Sequence, residues 1–204
     1  MHLADISAPD TTAARAALEF ASAYHSRSLL NHCVRSWLWA VAFAEQEGRG
    51  PFDEELLYVA ALLHDIGLVE EFDNHTLAFE DAGGHVAIAL TTGAGWNGNR
   101  RRRVHEVIER HMWLSVDPEE DLEGYLLEIA TGLDISGARA DALPREFQDE
   151  VLTAHPRLDL ATEFAACVTD QARRKPESSS ARIVEGGVER KLRENPLERS
   201  AGSA

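Results

Sequence analysis

The sequence predicts an all-α protein. Apolar residues recur at three- and four-residue steps in one segment after another, which is the spacing of a helix face that packs on a core. Capping residues and glycines bound many of these segments. No segment shows the sustained period-two alternation, rich in β-branched residues, that is typical of a strand. The chain also lacks an internal repeat, so a helical bundle is expected.

The predicted helices follow one another along most of the chain. The third is the best defined, because Asp53 lies at its N-cap and Gly67 is expected to stop it. The sixth is expected to begin at Asp117 and Pro118. The remaining helices are expected at about 10–24, 28–47, 79–90, 104–111, 144–153 and 158–175, with a loop at 91–99 and a frayed tail at 195–204.

Length and charge limit the classes of partner. The 204 residues are enough for one domain with a full hydrophobic core, and a net charge of −15 makes the surface repel phosphate backbones and anionic lipid headgroups. We therefore expect a small-molecule substrate, with no nucleic-acid polymer and no membrane as partner. The basic run at 100–103 is either a solvated helix start or an anion contact. The sequence does not decide whether the chain forms a homo-oligomer.

The two cysteines and the N-terminus predict a cytoplasmic location. Cys33 and Cys167 lie within apolar helical patterns and not in a paired motif, which indicates buried free thiols in a reducing compartment. The N-terminus lacks a basic patch followed by an apolar core, and no run of about 18 apolar residues occurs.

His64 and Asp65 stand side by side at the end of the third predicted helix. Neighbouring helical residues project about 100° apart, yet both side chains can reach one ion placed near the helix end. Imidazole and carboxylate together suit zinc, iron or manganese, but two ligands do not complete a site. The alternative is a hydrogen-bonded core histidine followed by a helix-end aspartate.

Three further residues are candidates for the same site. His32 lies on a face of the second helix that is expected to be buried, so it needs hydrogen bonds or a metal. Asp134 leaves the sixth helix on or beside a buried face, where a cation would compensate its charge. His111 continues an apolar stripe, which fits either a core histidine or a residue beside the site. For Asp134 the alternative is a helix-end aspartate turned to solvent.

The order of His32, then His64-Asp65, then Asp134 resembles the HD-domain superfamily of metal-dependent hydrolases. The resemblance extends over about residues 25–175, and the flanking motifs are similar to those of its cyanamide hydratase-like branch. These motifs are 29–32 (LLNH), 60–67 (AALLHDIG), 79–80 (FE) with the glycines at 83–84, and 107–111 (VIERH). The chain then divides into a helical lead-in at 1–24, an HD domain at 25–175 and a partly flexible extension at 176–204.

The resemblance implies an HD-domain helical bundle with a buried metal site. Its ligands would be His32, His64, Asp65 and Asp134, holding one divalent ion, for which Zn²⁺ is expected and Fe²⁺ and Mn²⁺ are the alternatives. A single ion is expected because Phe79 stands where binuclear members place a histidine. His85, six residues on and about 240° around the helix, is a poor substitute.

The resemblance also suggests roles around the ion. Glu80 and His111 are the candidates for proton transfer or for holding a ligand in place, with an ion pair and plain packing as their alternatives. Asn31, Phe79 and Gly84 are the candidates for substrate contact. The glycine pair at 83–84 admits the close approach of either a ligand or another helix.

The expected activity is hydration or hydrolysis of a small molecule, with a cyanamide- or nitrile-type substrate as the specific hypothesis. A phosphohydrolase is the main alternative, although the lysine that commonly follows the His-Asp motif in such enzymes is replaced here by residues 66–69 (IGLV). A non-catalytic helical module with a bound metal is the third hypothesis.

Overall fold

The computed structural model describes residues 1–201, and this part of the chain consists of helices and turns without a strand. The prediction of an all-α fold is confirmed. Ten α-helices follow in order: α1 Thr12–Tyr24, α2 Arg27–Gln46, α3 Glu54–Leu63, α4 Phe79–Gly93, α5 Gly98–Arg110, α6 Leu122–Ser136, α7 Arg145–Ala154, α8 Leu160–Arg174, α9 Ser179–Glu185 and α10 Val188–Arg193. Short 3₁₀ helices occupy Leu3–Asp5, Ile66–Leu68, Ala140–Ala142 and Pro196–Ala201.

Polar side chains fix the starts of several helices. Thr11, Ser26 and Asp53 each accept a hydrogen bond from the backbone N–H three residues further on, at 3.0–3.2 Å. The prediction for α6 was wrong: it begins at Leu122, because Asp121 accepts the N–H of Gly124 at 2.7 Å. Residues 118–120 form a turn before it.

The end of α3 also differs from the prediction. The helix ends at Leu63, and His64 and Asp65 lead into the 3₁₀ helix Ile66–Leu68, so Gly67 is not the stop. A Cβ atom on Gly67 would collide with the backbone oxygen of Phe79. The glycine therefore lets the start of α4 lie directly against the turn that carries His64 and Asp65.

Most of the apolar side chains form one core among α1, α2, α3, α5, α6 and α7. The helix pairs α4 with α5 and α2 with α6 pack closely. A smaller cluster beside it joins Leu29 and Phe79 to apolar residues of α8 and α10. No helix within residues 1–201 combines the length and apolar character that crossing a membrane requires.

Both chain ends that were set apart in the sequence join this packing. Ala17 and Ala21 of α1 are fully buried in the main core. In the extension, Val188 and Leu192 are buried in the smaller cluster. The described part of 176–204 is mostly helical. Residues 202–204 of the expected frayed tail lie outside the described residues.

Candidate metal centre

Three of the predicted ligands converge in the protein interior. His32 comes from the middle of α2, while His64 and Asp65 come from the turn after α3, and each side chain is only 1% exposed. The Nε2 atoms of the two histidines are 3.1 Å apart. Oδ2 of Asp65 lies 3.3 Å from Nε2 of His32 and 3.4 Å from Nε2 of His64. The three residues form one group whose ligand atoms face a common point.

The second nitrogen of each imidazole has its own partner. Nδ1 of His64 lies 2.8 Å from the backbone oxygen of Ala61, to which it donates a hydrogen bond. Nδ1 of His32 lies 2.7 Å from Oδ2 of Asp134 and donates to it. When Nδ1 of a neutral imidazole carries the proton, Nε2 presents its lone pair. In the neutral rings, both lone pairs would therefore be available to an ion beside the Asp65 carboxylate.

The Asp65 carboxylate has the environment of a ligand. Both of its oxygens are buried and neither receives a hydrogen bond from the described residues. Burial alone would raise the pKa of Asp65, but the adjacent His64 and His32 hold it well below its usual value. An ionised carboxylate in the interior requires a compensating positive charge. A protonated His64 supplies part of it, because burial would lower the pKa of His64 but the charge of Asp65 raises it to about 9. A metal ion would supply the charge in place of that proton.

The dimensions of the group fit a transition metal. Ligand atoms about 2.1 Å from one ion, in tetrahedral or octahedral geometry, are separated by about 3.0–3.4 Å. The observed separations of 3.1, 3.3 and 3.4 Å fall in this range. Two imidazole nitrogens and one carboxylate oxygen are the donors that Zn²⁺, Fe²⁺ or Mn²⁺ accept. The residues present therefore fit a divalent ion and leave coordination positions for water or substrate.

Asp134 lies beside this group without being one of its three members. Arg35 binds both carboxylate oxygens, at 2.8 and 2.7 Å, and Nε1 of Trp39 donates to Oδ1 at 2.8 Å. Burial would raise the pKa of Asp134, but the charge of Arg35 holds it well below its usual value. Direct ligation by Asp134 stays a prediction; its described contact with the site is the hydrogen bond from His32.

His111 is buried next to the group, with its ring centroid 4.8 Å from that of His64. Its Nδ1 donates to the backbone oxygen of Ile108. Burial, reinforced by the charge of His64, lowers the pKa of His111 to about 3. At neutral pH the ring is therefore uncharged, and its Nε2 is a hydrogen-bond acceptor. His111 lines the cavity described below, and its part in catalysis stays a prediction.

The sequence also predicted Glu80, Phe79, Asn31 and Gly84 for the site, but these four residues do not line the cavity. Glu80 is buried at the start of α4, where burial raises the pKa of its carboxyl group. The ring of Phe79 is fully buried, 5.7 Å from that of His111.

Asn31 and Gly84 have contacts that account for their positions. Nδ2 of Asn31 donates to the backbone oxygen of Pro156 at 2.8 Å. A Cβ atom on Gly84 would collide with the ring of His105, so this glycine admits a neighbouring helix. Substrate contact by Asn31, Phe79 and Gly84, and proton transfer by Glu80, stay predictions.

A cavity of about 390 Å³ opens over the histidine and aspartate group. One face of α6 contributes to the cavity lining, through residues that are three or four positions apart in the sequence. The C-terminal helices α9 and α10 contribute further lining residues. The lining residues beyond the group itself include His111, Trp113, Glu128, Thr131, Gly132, Ile135, Phe164, Arg182, Val188 and Lys191.

Sequence reasoning missed Glu128, the bond of Arg35 to Asp134 and the lining residues from the extension. Glu128 lies on α6 in the cavity wall, and burial raises its pKa to about 7. The spacing of Glu128, Thr131 and Ile135 along one helix face was a usable signal for it. Arg35 follows His32 by three residues and so shares its face. Nothing in the local sequence indicated that Arg182 and Lys191 would reach the site.

The comparisons with known proteins agree with this geometry. The HD domain family matches residues 29–146, which include all three members of the group and Asp134. The chain belongs to the HD-domain superfamily. Cyanamide hydratase DDI2 of Saccharomyces cerevisiae is 32% identical over 171 residues, which cover 82% of this chain and 76% of the yeast protein. Cyanamide hydratase DDI3 of the same yeast matches equally well.

These similarities place the HD-domain chain in the cyanamide hydratase-like branch, as its motifs predicted. They support a metal-dependent enzyme of the hydratase or hydrolase type. The His32, His64 and Asp65 group could hold the ion, because it is the buried group of the described chain whose ligand atoms converge.

Proposed function

We propose that this HD-domain enzyme adds water to a small, uncharged nitrile-type molecule such as cyanamide. The observation that carries the proposal is the convergence of His32, His64 and Asp65 at a cavity whose lining is mostly apolar. The similarity to cyanamide hydratases over most of the chain supports the same substrate class.

A divalent ion held by His32, His64 and Asp65 would supply a water of lowered pKa as the nucleophile at neutral pH. The protein's part is to aim Nε2 of both histidines at one point, where a bound ion would take the place of a proton. The backbone oxygen of Ala61 does this for His64, and Asp134 does it for His32.

Addition of water to a nitrile requires a proton for the nitrile nitrogen. Glu128 is the candidate donor, because its pKa of about 7 leaves a substantial fraction protonated at neutral pH and it lies in the cavity wall. His111 cannot serve as a donor from Nε2, since its ring is neutral and its proton is held on Nδ1 by Ile108. We propose that Nε2 of His111 accepts a hydrogen bond from water or substrate and so orients it.

The walls also favour an uncharged substrate of limited size. Apolar side chains such as Ile135, Phe164 and Val188 contribute much of the lining. The volume lies near the lower end of the range for small-molecule sites, about 300–1,000 Å³. It exceeds what cyanamide alone requires, so larger nitriles belong in the test.

A phosphohydrolase is the second candidate, favoured by the presence of Arg182 and Lys191 in the lining. Phosphoryl transfer needs such positive charge around the transferred group. However, Nη2 of Arg182 donates to the backbone oxygen of Met112 at 2.6 Å, so this guanidinium is partly engaged. Both cations come from the C-terminal helices and neither from the turn after His64 and Asp65.

A substrate panel separates the two candidates. Protein loaded with one equivalent of Zn²⁺, Fe²⁺ or Mn²⁺ is assayed against cyanamide, larger nitriles, phosphate monoesters and nucleotides, with the His64→Ala variant as the background control. We expect turnover of a nitrile-type substrate that depends on the ion and on His64. Turnover of phosphate esters alone would refute the hydratase proposal, and turnover of no substrate by any loaded form would favour a non-catalytic metal module.

A further inference from the structure

A second group of metal-binding side chains lies where α4 packs on α5. Asp81 and His85 belong to α4 and His105 belongs to α5, and one ligand atom from each lies within 4.8 Å of the others. None of the three lines the cavity or belongs to the buried group. The proposed hydratase chemistry makes no use of them.

The spacing along α4 places two of these ligands together. Asp81 and His85 are four residues apart, so they lie one turn apart on the same face, with Nε2 of His85 3.7 Å from Oδ1 of Asp81. Nε2 of His105 approaches the same oxygen at 2.9 Å. The two imidazole rings lie 5.0 Å apart between centroids. Both histidines therefore present Nε2 towards one carboxylate oxygen.

The position of His105 depends on Gly84. A Cβ atom at this position would overlap the His105 ring, so the glycine lets the imidazole lie directly against α4. The sequence places a glycine next to His85 where a helix interior would prefer alanine by about 1 kcal/mol. Close contact between the helices is thus what brings the third ligand to the other two.

Positive charge next to the group would oppose the binding of a cation, so the partners of the neighbouring arginines matter. Arg101 and Arg102 lie within one turn of His105, but their guanidinium groups bind Thr92 and Asn99 respectively. The chain as a whole carries a charge of −15, which attracts cations to its surface. The described contacts therefore direct both arginines to partners outside the group.

We propose that Asp81, His85 and His105 form a second, solvent-accessible site for a transition metal such as Zn²⁺. Two imidazoles select a borderline ion over Mg²⁺ or Ca²⁺, and three protein ligands leave a position for water. Their side chains are 32%, 60% and 18% exposed, so the ion can enter without unfolding. A bound ion would cross-link α4 to α5 and stabilise the folded protein.

The test is a titration of the full chain with Zn²⁺. Calorimetry and competition with a colorimetric chelator measure the number of bound equivalents and their affinities. We expect a tight equivalent at the buried group and a second, weaker equivalent. His85→Ala and Asp81→Asn should each lose the second equivalent and keep the first. His2→Ala is the matched control, because His2 lies in another exposed group with Glu146 and Glu150.

Two results would overturn the proposal. One is a wild-type protein that takes up a single equivalent; the other is a second equivalent that persists in His85→Ala and Asp81→Asn or disappears in His2→Ala. Histidine-ring ¹⁵N NMR gives an independent readout, since the second equivalent should shift the signals of His85 and His105. Unchanged signals from these two rings at saturation would also refute it. The exposure of His85 makes loss of folding in its variant unexpected.

Discussion

Nδ1 of His32 lies 2.7 Å from Oδ2 of Asp134, and Arg35 binds both oxygens of that same carboxylate. The aspartate thus connects a buried arginine to an imidazole whose other nitrogen faces the candidate metal position. Its charge balances Arg35, and its hydrogen bond sets the His32 tautomer. A single carboxylate therefore contributes to both folding and metal affinity.

Replacement of Asp134 by asparagine should weaken both properties. The affinity for Zn²⁺ should fall about 10–100-fold, since the hydrogen bond that orients His32 loses its charge. The free energy of unfolding should fall by about 3–5 kcal/mol, since Arg35 stays buried without its counter-charge. Chelator competition and urea unfolding measure the two effects.

Asp149→Asn is the control for this variant, because Asp149 is exposed on α7. An Asp134→Asn protein with wild-type affinity would contradict the proposed role of His32 orientation. A loss far beyond 100-fold would indicate that Asp134 ligates the ion directly, as the sequence predicted.

His64→Ala should remove the tightly bound metal equivalent and the activity while the protein keeps most of its helix content. The substitution deletes one of three converging ligands, and the apolar core around α3 stays in place. Elemental analysis and far-ultraviolet circular dichroism measure the outcome, with exposed His75→Ala as the control. Full activity in a His64→Ala protein that has lost the tightly bound equivalent would exclude the proposed mechanism.

Glu128 should make stability depend on pH. Burial raises the pKa of Glu128 from 4.5 to about 7, so the folded state holds a proton that the unfolded state releases. Below about pH 4.5 both states are protonated and the penalty is absent. Stability should then fall as the pH rises from about 4.5 to about 7 and level off above it. Thermal unfolding across this range should show a smaller decrease for Glu128→Gln.

Activity tests the catalytic part of the same residue. If Glu128 donates a proton, turnover of the nitrile should decline as the pH rises above about 7, and Glu128→Gln should lower kcat and lose that limb of the profile. Exposed Glu19→Gln is the control. An unchanged kcat and pH profile in Glu128→Gln would rule out this donor.

Two glycines should respond to alanine in opposite directions. Gly67→Ala forces a Cβ atom onto the backbone of Phe79, which cannot move without displacing α4, so the free energy of unfolding should fall by about 1–3 kcal/mol or more. Gly132→Ala on α6 meets no atom within 4 Å and should stabilise by about 0.5–1 kcal/mol. Urea unfolding measures the stability of both variants. A Gly67→Ala protein as stable as wild type would show that α4 does not pack this closely on the turn after α3.

Lys191 should report the charge of the substrate. If the substrate is an uncharged nitrile, Lys191→Ala leaves its KM unchanged, because such a substrate forms no ion pair with Lys191. If the substrate is a phosphate ester, removal of this cation from the cavity lining raises KM. Steady-state kinetics on both substrate types, with exposed Lys191 replaced by arginine as the charge-preserving control, distinguishes the two cases.

Local signals were sufficient for most of the helices. The starts of α1 and α3 were correct because Thr11 and Asp53 cap them through bonds within four residues. The predicted start of α6 failed because Asp117 and Asp121 both resemble caps, and the observed start lies at Asp121, whose carboxylate also binds Arg103 and Arg110 from α5. That choice depends on a contact between helices, which no local window contains.

For the site, the sequence determined the chemistry: an all-α chain, an HD-type order of histidines and aspartates, and donors suited to a divalent ion. Residue type and spacing carry this information, since coordination chemistry and helix periodicity are local properties. Only the tertiary structure decided which groups surround those donors. It engaged Asp134 with Arg35 and His32, and it brought Glu128 and Lys191 of the extension into the lining of one cavity. These contacts join residues far apart in the chain, and helix packing sets them.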